Sequence, residues 1–150
     1  MRKKLAAAVS ISGALMAVLA GQGPAMAAEG YGSPAYAACT PAGAAGGFTE
    51  TGWTGAKASV KLELYVSDIR SDGHHVAVRF LSVNSYLKIK YWAWHSNYDG
   101  LDHTSRWNTT ASDSEGLYYT GVQVATLEGS KIISYCTDWA NIPGDPPGAT

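Results

Sequence analysis

The histidines and most of the loop carboxylates of this chain fall into a few short segments. His74 and His75 follow Asp72 and Gly73, while His95, Asn97, Asp99, Asp102 and His103 stand close together further on. Asn97-x-Asp99-Gly100-x-Asp102 offers oxygens on alternating positions around a glycine turn. That pattern suits Ca²⁺, a hard ion that takes about six to eight oxygen ligands. The full loop with its closing glutamate is absent. His95 and His103, with Asp99 and Asp102, form the alternative donor set, suited to Zn²⁺ or Cu²⁺. Ordinary turn chemistry accounts for the same residues, because Asn, Asp and Gly tolerate left-handed backbone and bond their own main chain. The expectation is therefore no cofactor, with Ca²⁺ or Zn²⁺ as the ions to look for.

A second constellation is aromatic. In the run Tyr86 to His95, the residues Tyr86, Lys88, Lys90, Trp92 and Trp94 alternate with Leu87, Ile89, Tyr91 and Ala93. On a regular strand Trp92 and Trp94 leave one face, and Tyr86 shares it. Coplanar exposed rings are what a sugar needs, since pyranose C–H groups pack on π faces while neighbours such as Asn97 and Asp99 bond the hydroxyls. Tyr118, Trp107 and Trp139 could extend the platform. The competing expectation is sandwich core, in which case Trp92 and Trp94 point inward. Lys88 and Lys90 argue for solvent on the Trp face, because lysine is almost never buried unpaired, although their stems can also lie along a half-buried ring.

Catalytic patterns are lacking. No Gly-x-Ser-x-Gly elbow occurs. The carboxylate pairs Asp99/Asp102 and Asp113/Glu115 each sit on a single turn, which leaves no room to straddle a sugar. No catalytic residue is assigned, and binding is expected instead of catalysis.

The address of the chain frames these readings. Met1-Arg2-Lys3-Lys4 is a basic start, Leu5 to Ala20 is uncharged and apolar, and Ala25-Met26-Ala27 offers small residues for signal peptidase, so cleavage is expected after Ala27. The apolar run is shorter than the ~20 residues a spanning helix needs, so no membrane attachment is expected after cleavage. Removal of residues 1–27 takes three of the 11 Lys and Arg and none of the 12 Asp and Glu, which leaves a net charge near −4. An acidic surface with scattered basic residues excludes nucleic acid as an expected partner. Cys39 and Cys136 are the two cysteines. In an oxidising compartment such a pair is most simply one structural disulfide.

Elements that would position the candidate residues follow from period-two patterning. Val60, Leu62, Leu64 and Val66 alternate with Lys61, Glu63 and Tyr65; Val76, Val78 and Phe80 alternate with Ala77, Arg79 and Leu81. Further strands are expected at 86–95, around 104–111, at 117–127 with Gly121 as a bulge, and at 131–137, with a weaker one at 48–53. The result is an all-β, antiparallel sandwich of six to seven strands, with a small barrel as the alternative. Its divisions are a signal peptide (1–27), a flexible Gly/Ala-rich arm (28–47), the sandwich (48–140) and a Pro/Gly-rich tail (141–150). Were consecutive strands to pair as hairpins, the turns at 67–75, 95–103 and 127–131 would share one end and gather all four histidines there.

The layout resembles a group of small secreted actinobacterial proteins of undefined role. The features that carry the resemblance are the signal peptide, Cys39, the alternating strands, Trp92-Ala93-Trp94-His95-Ser96-Asn97-Tyr98-Asp99-Gly100, then Trp107-Asn108-Thr109, and Cys136. It implies the fold and the extracellular address and brings no activity with it. The functional expectation is thus a secreted monomer that binds a cell-wall or environmental polysaccharide through Trp92, Trp94, Tyr86, Asn97 and Asp99. The alternative is a secreted inhibitor or toxin-like factor with an extracellular protein as partner.

Overall fold

Apolar alternation in this chain becomes a buried layer between two sheets. The computed structural model describes residues 35–140, which form nine strands and no helix. In chain order these are β1 (Ala35–Cys39), β2 (Ala44–Thr51), β3 (Val60–Asp68), β4 (His75–Val83), β5 (Ile89–Tyr91), β6 (His95–Asn97), β7 (Thr104–Ala111), β8 (Tyr119–Glu128) and β9 (Lys131–Ala140). One antiparallel sheet has the order β1-β2-β3-β7. The other runs β5-β4-β8-β9, with β6 pairing the same edge of β4 as β5. The sheets stack without closing into a barrel. The expected signal peptide, the first part of the expected arm and the expected tail lie outside the described residues.

Val60, Leu62, Leu64 and Val66 of β3 face Val76, Val78 and Phe80 of β4 and Val122 and Val124 of β8, all 3% exposed or less. Phe48 and Phe80 meet edge to face at the centre, with ring centroids 5.3 Å apart. Cys39 of β1 and Cys136 of β9 are joined in a disulfide that ties the two sheets together along one side, with Cα atoms 6.1 Å apart. Close by, the amide of Ala38 donates to Asp138 Oδ2 at 2.9 Å.

The Gly/Ala-rich stretch expected to be a flexible arm is, over Ala35–Cys39 and from Ala44 onward, two strands of the first sheet. Its small residues serve close packing. A Cβ on Gly46 would come within 2.7 Å of the Tyr65 carbonyl oxygen, and one on Gly47 within 2.5 Å of that of Ala37. The single strand expected at 86–95 is also corrected, since it divides into β5 and β6. Gly121 is no bulge; the β8–β9 register shifts where Thr126 pairs with Ser134 and Leu127 with Ile132, which leaves Ile133 of β9 as the extra residue.

Although β3 and β4 lie in different sheets, the register brings the turns after β3, β6 and β8 to one end. Asp68 pairs with Ala44, Ser67 with Thr104, Val76 with Asn97 and His75 with Leu127. Thr126 Oγ1 reaches across that end to donate to the Ala42 carbonyl at 2.6 Å.

Candidate functional site

The division of the 86–95 segment decides where its aromatics go. Tyr91 pairs with Leu81 and His95 with Val78, so the segment uses one more residue than β4 between those partners. This is a β-bulge, and an extra residue reverses the in-and-out alternation beyond it. Trp92, whose amide donates to the Phe80 carbonyl at 3.1 Å, points between the sheets. Its ring packs on Phe80 at 5.9 Å, and its indole N–H reaches Ser82 Oγ at 3.1 Å. Trp94, past the bulge, points to the opposite face and lies against Ala77, Ala125 and Leu127. Tyr86 stands apart from both, in the turn that Asn84 organises by accepting the amides of Tyr86 and Lys88 at 3.0 Å each. The expected platform of Trp92, Trp94 and Tyr86 is therefore not formed. Lys90, exposed beside the partly buried Trp92, marks the solvated margin of that face. Its ammonium sits 4.3 Å from the centroid of the Trp92 ring and reaches Asp113 at 2.8 Å.

Asn97 and Asp99 are occupied by structure. Asn97 is 2% exposed. Its side-chain amide donates to the carbonyls of His103 at 2.8 Å and Val66 at 3.3 Å, and its oxygen accepts the Asp99 amide at 2.8 Å. Asp99 Oδ2 accepts from Ser105 Oγ at 3.3 Å. Asp102 takes a left-handed φ of 64° and its amide donates to the Asp68 carbonyl at 2.8 Å. His95 packs on Trp107 with centroids 5.3 Å apart, while His75 stacks on Tyr98 at 4.5 Å. Among the described residues no three His, Cys, Asp or Glu side chains come together to hold a metal. His95, His103, Asp99 and Asp102 do not converge: His95 lies against Trp107, and Asp99 takes the Ser105 hydroxyl.

The outer face of the second sheet gathers what the sequence had scattered. Tyr91, Leu81, Gly121 and Trp139 form one cross-strand row; Arg79, Gln123 and Thr137 form the next; Ala77, Ala125 and Tyr135 form a third. Small residues in the middle strands let the rings settle onto the sheet. Trp94 covers Ala77 and Ala125, and the Trp139 indole lies so close over Gly121 that a Cβ there would stand 2.6 Å from Cε3. The polar row between the two indoles is hydrogen-bonded throughout. Arg79 Nε donates to Gln123 Oε1 at 2.9 Å and Nη2 to the same oxygen, while Gln123 Nε2 donates to Thr137 Oγ1 at 3.2 Å. The Arg79 guanidinium carbon lies 4.4 Å from the Tyr91 ring centroid and 4.3 Å from that of Trp94. Tyr91 and Tyr135, at 53% and 61%, leave much of their rings in solvent.

Of the sequence candidates only Trp94, with Trp139 as an extension, belongs to this face. Tyr91 stood on the wrong side of the expected strand, and Arg79, Gln123 and Tyr135 were missed. The alternation Tyr135-Thr137-Trp139 on one strand was the available signal.

A shallow depression of about 480 Å³ on the outer face of the first sheet is lined by Thr49, Thr51, Lys61, Glu63, Asn108 and Thr110 among others. It offers hydroxyls and charges but no aromatic ring. Compared with family models, curated proteins and solved structures, the chain matches none.

Proposed function

We propose that this chain is an exported, non-catalytic binding protein that takes polysaccharide on the outer face of the five-stranded sheet. One observation carries the reading: Trp94, Tyr91, Trp139 and Tyr135 surround a hydrogen-bonded Arg79–Gln123–Thr137 row on a single sheet face. Rings supply the stacking surface for sugar C–H groups, and the polar row supplies donors and acceptors for hydroxyls. Export rests on the basic start, the apolar run and the Ala25-Met26-Ala27 site. The Cys39–Cys136 disulfide suits an oxidising compartment. Among the described residues no helix is long and apolar enough to cross a membrane. The resemblance to small secreted actinobacterial proteins points the same way.

A protein partner is the second reading. Ile132 and Ile133 lie exposed on β9 near Tyr135, and exposed aliphatic side chains suit a protein surface better than a sugar.

Co-sedimentation with insoluble peptidoglycan, chitin and cellulose tests the choice, with Trp94→Ala as the variant. Sedimentation of the native protein with one polymer, lost in the folded variant, supports the glycan reading. No sedimentation with any polymer removes it and leaves the protein partner.

A further inference from the structure

Arg79 is unlike every other cation in the described fold. Lys57, Lys61, Arg70, Lys88, Lys90, Arg106 and Lys131 are all exposed, whereas Arg79 is drawn half-way into the sheet face. Lys90 pairs with Asp113 and Arg106 with Glu63, yet among the described residues Arg79 has no carboxylate partner. Desolvation between the Tyr91 and Trp94 rings lowers its pKa from the ordinary guanidinium value, and its charge is retained all the same. A half-desolvated cation without a counter-ion is costly unless something anionic completes it.

The guanidinium is also oriented. Gln123 Oε1 takes the Nε and Nη2 edge, which fixes the plane of the fork. The end-on edge, with one N–H from Nη1 and one from Nη2, remains to present two parallel donors. That is the geometry a carboxylate accepts in bidentate fashion. Tyr91 and Trp94 flank the same point with apolar ring surface.

We propose that the ligand of this face is an acidic polysaccharide, a polymer of uronic-acid type, whose carboxylate docks end-on to Arg79 while its sugar ring packs on Trp94 or Tyr91. The proposal rests on the reading of this face as the binding surface and adds the charge of the ligand. The overall negative charge of the protein does not oppose it locally: the aromatic rings and the Gln123–Thr137 pair around Arg79 carry no carboxylate.

The test is calorimetric titration of protein made from the full chain with polygalacturonate, alginate and hyaluronate, each beside its methyl ester. Esterification removes the charge and leaves the sugar rings in place. The proposal expects at least one acid polymer to bind and its ester to bind about tenfold more weakly or worse, since a charge-assisted bidentate pair is lost. Arg79→Gln, checked for an unchanged urea midpoint, should bring the two forms to equal affinity. Arg79→Lys should recover little, because an ammonium cannot present the fork. Equal binding of acid and ester by the native protein overturns the acidic ligand and leaves the glycan surface standing. Binding only to neutral chitin or cellulose does the same. Failure to bind any polymer, acidic or neutral, overturns both.

Discussion

Trp92 and Trp94, two residues apart on one edge of the second sheet, point to opposite faces of it. Trp92 fills the margin of the inter-sheet core against Phe80, and Trp94 covers Ala77 and Ala125 on the outside. The bulge between Tyr91 and His95 makes this possible. The two indoles should therefore answer to different measurements.

Trp92→Ala removes a ring from the core margin together with its bond to Ser82, and should cost about 3 kcal/mol in urea unfolding. Trp94→Ala should cost less in stability and more in polymer binding. Equal stability losses, with binding intact in Trp94→Ala, would contradict the division of labour between the two faces.

The disulfide joins residues 97 apart in sequence. Closing a loop of that length restricts the unfolded chain by up to about 4–5 kcal/mol. It also holds the edge strand β1 to β9. The Cys39→Ser/Cys136→Ser double variant should lose most of that stability in urea, and the native protein should lose the same amount on reduction. A variant as stable as the oxidised protein would show that β1 is held by its pairing with β2 and its buried alanines alone.

The core of this fold is legible because hydrophobic alternation reports burial directly: Val60 to Val66 and Val76 to Phe80 needed only their spacing. The strand expected from Phe48 is there. Ala35 to Gly47, however, reads as a mobile arm because Gly and Ala mark mobility and close packing alike, and only the approach of the Tyr65 and Ala37 carbonyls to Gly46 and Gly47 separates the two. The aromatic site was misplaced by the one-residue bulge. Nothing in Tyr91-Trp92-Ala93-Trp94-His95 announces an extra residue, because a bulge is defined by the partner strand, and the partner register is long-range information. Arg79 was passed over for a related reason. Its importance lies in what β5, the bulge and β8 place around it, and those neighbours are remote in sequence.

Asn97 is a structural bracket between β6, β3 and the 98–103 turn, so its replacement should act on folding. Asn97→Ala takes the acceptor from the Asp99 amide and a donor from each of the Val66 and His103 carbonyls, the latter keeping the Asp68 amide. A loss of about 1–3 kcal/mol is expected, with faster proteolysis in the turn and unchanged polymer affinity for the folded fraction. A stable variant that no longer binds would restore Asn97 to the ligand site.

Glu50 makes stability depend on pH. It faces the core from β2, fully buried, with Oε1 accepting from Thr120 Oγ1 at 3.0 Å and Oε2 without a hydrogen-bond partner. Burial pushes its carboxyl up from 4.5 to about 7, against the smaller opposing effect of the Thr120 bond. The folded protein thus holds this proton more tightly than the unfolded chain. The stability it contributes is fully present below about pH 4.5, is lost as the pH rises to about 7, and is flat above that. The total is roughly 3 kcal/mol by the usual conversion. Glu50→Gln keeps an acceptor for Thr120 and has no proton to lose. It should match the native protein near pH 4, flatten the decline between pH 5 and 7, and be the more stable of the two at pH 8. Urea midpoints across that range decide the matter: parallel curves for the two proteins would mean that Glu50 stays ionised in the fold and that solvent reaches it.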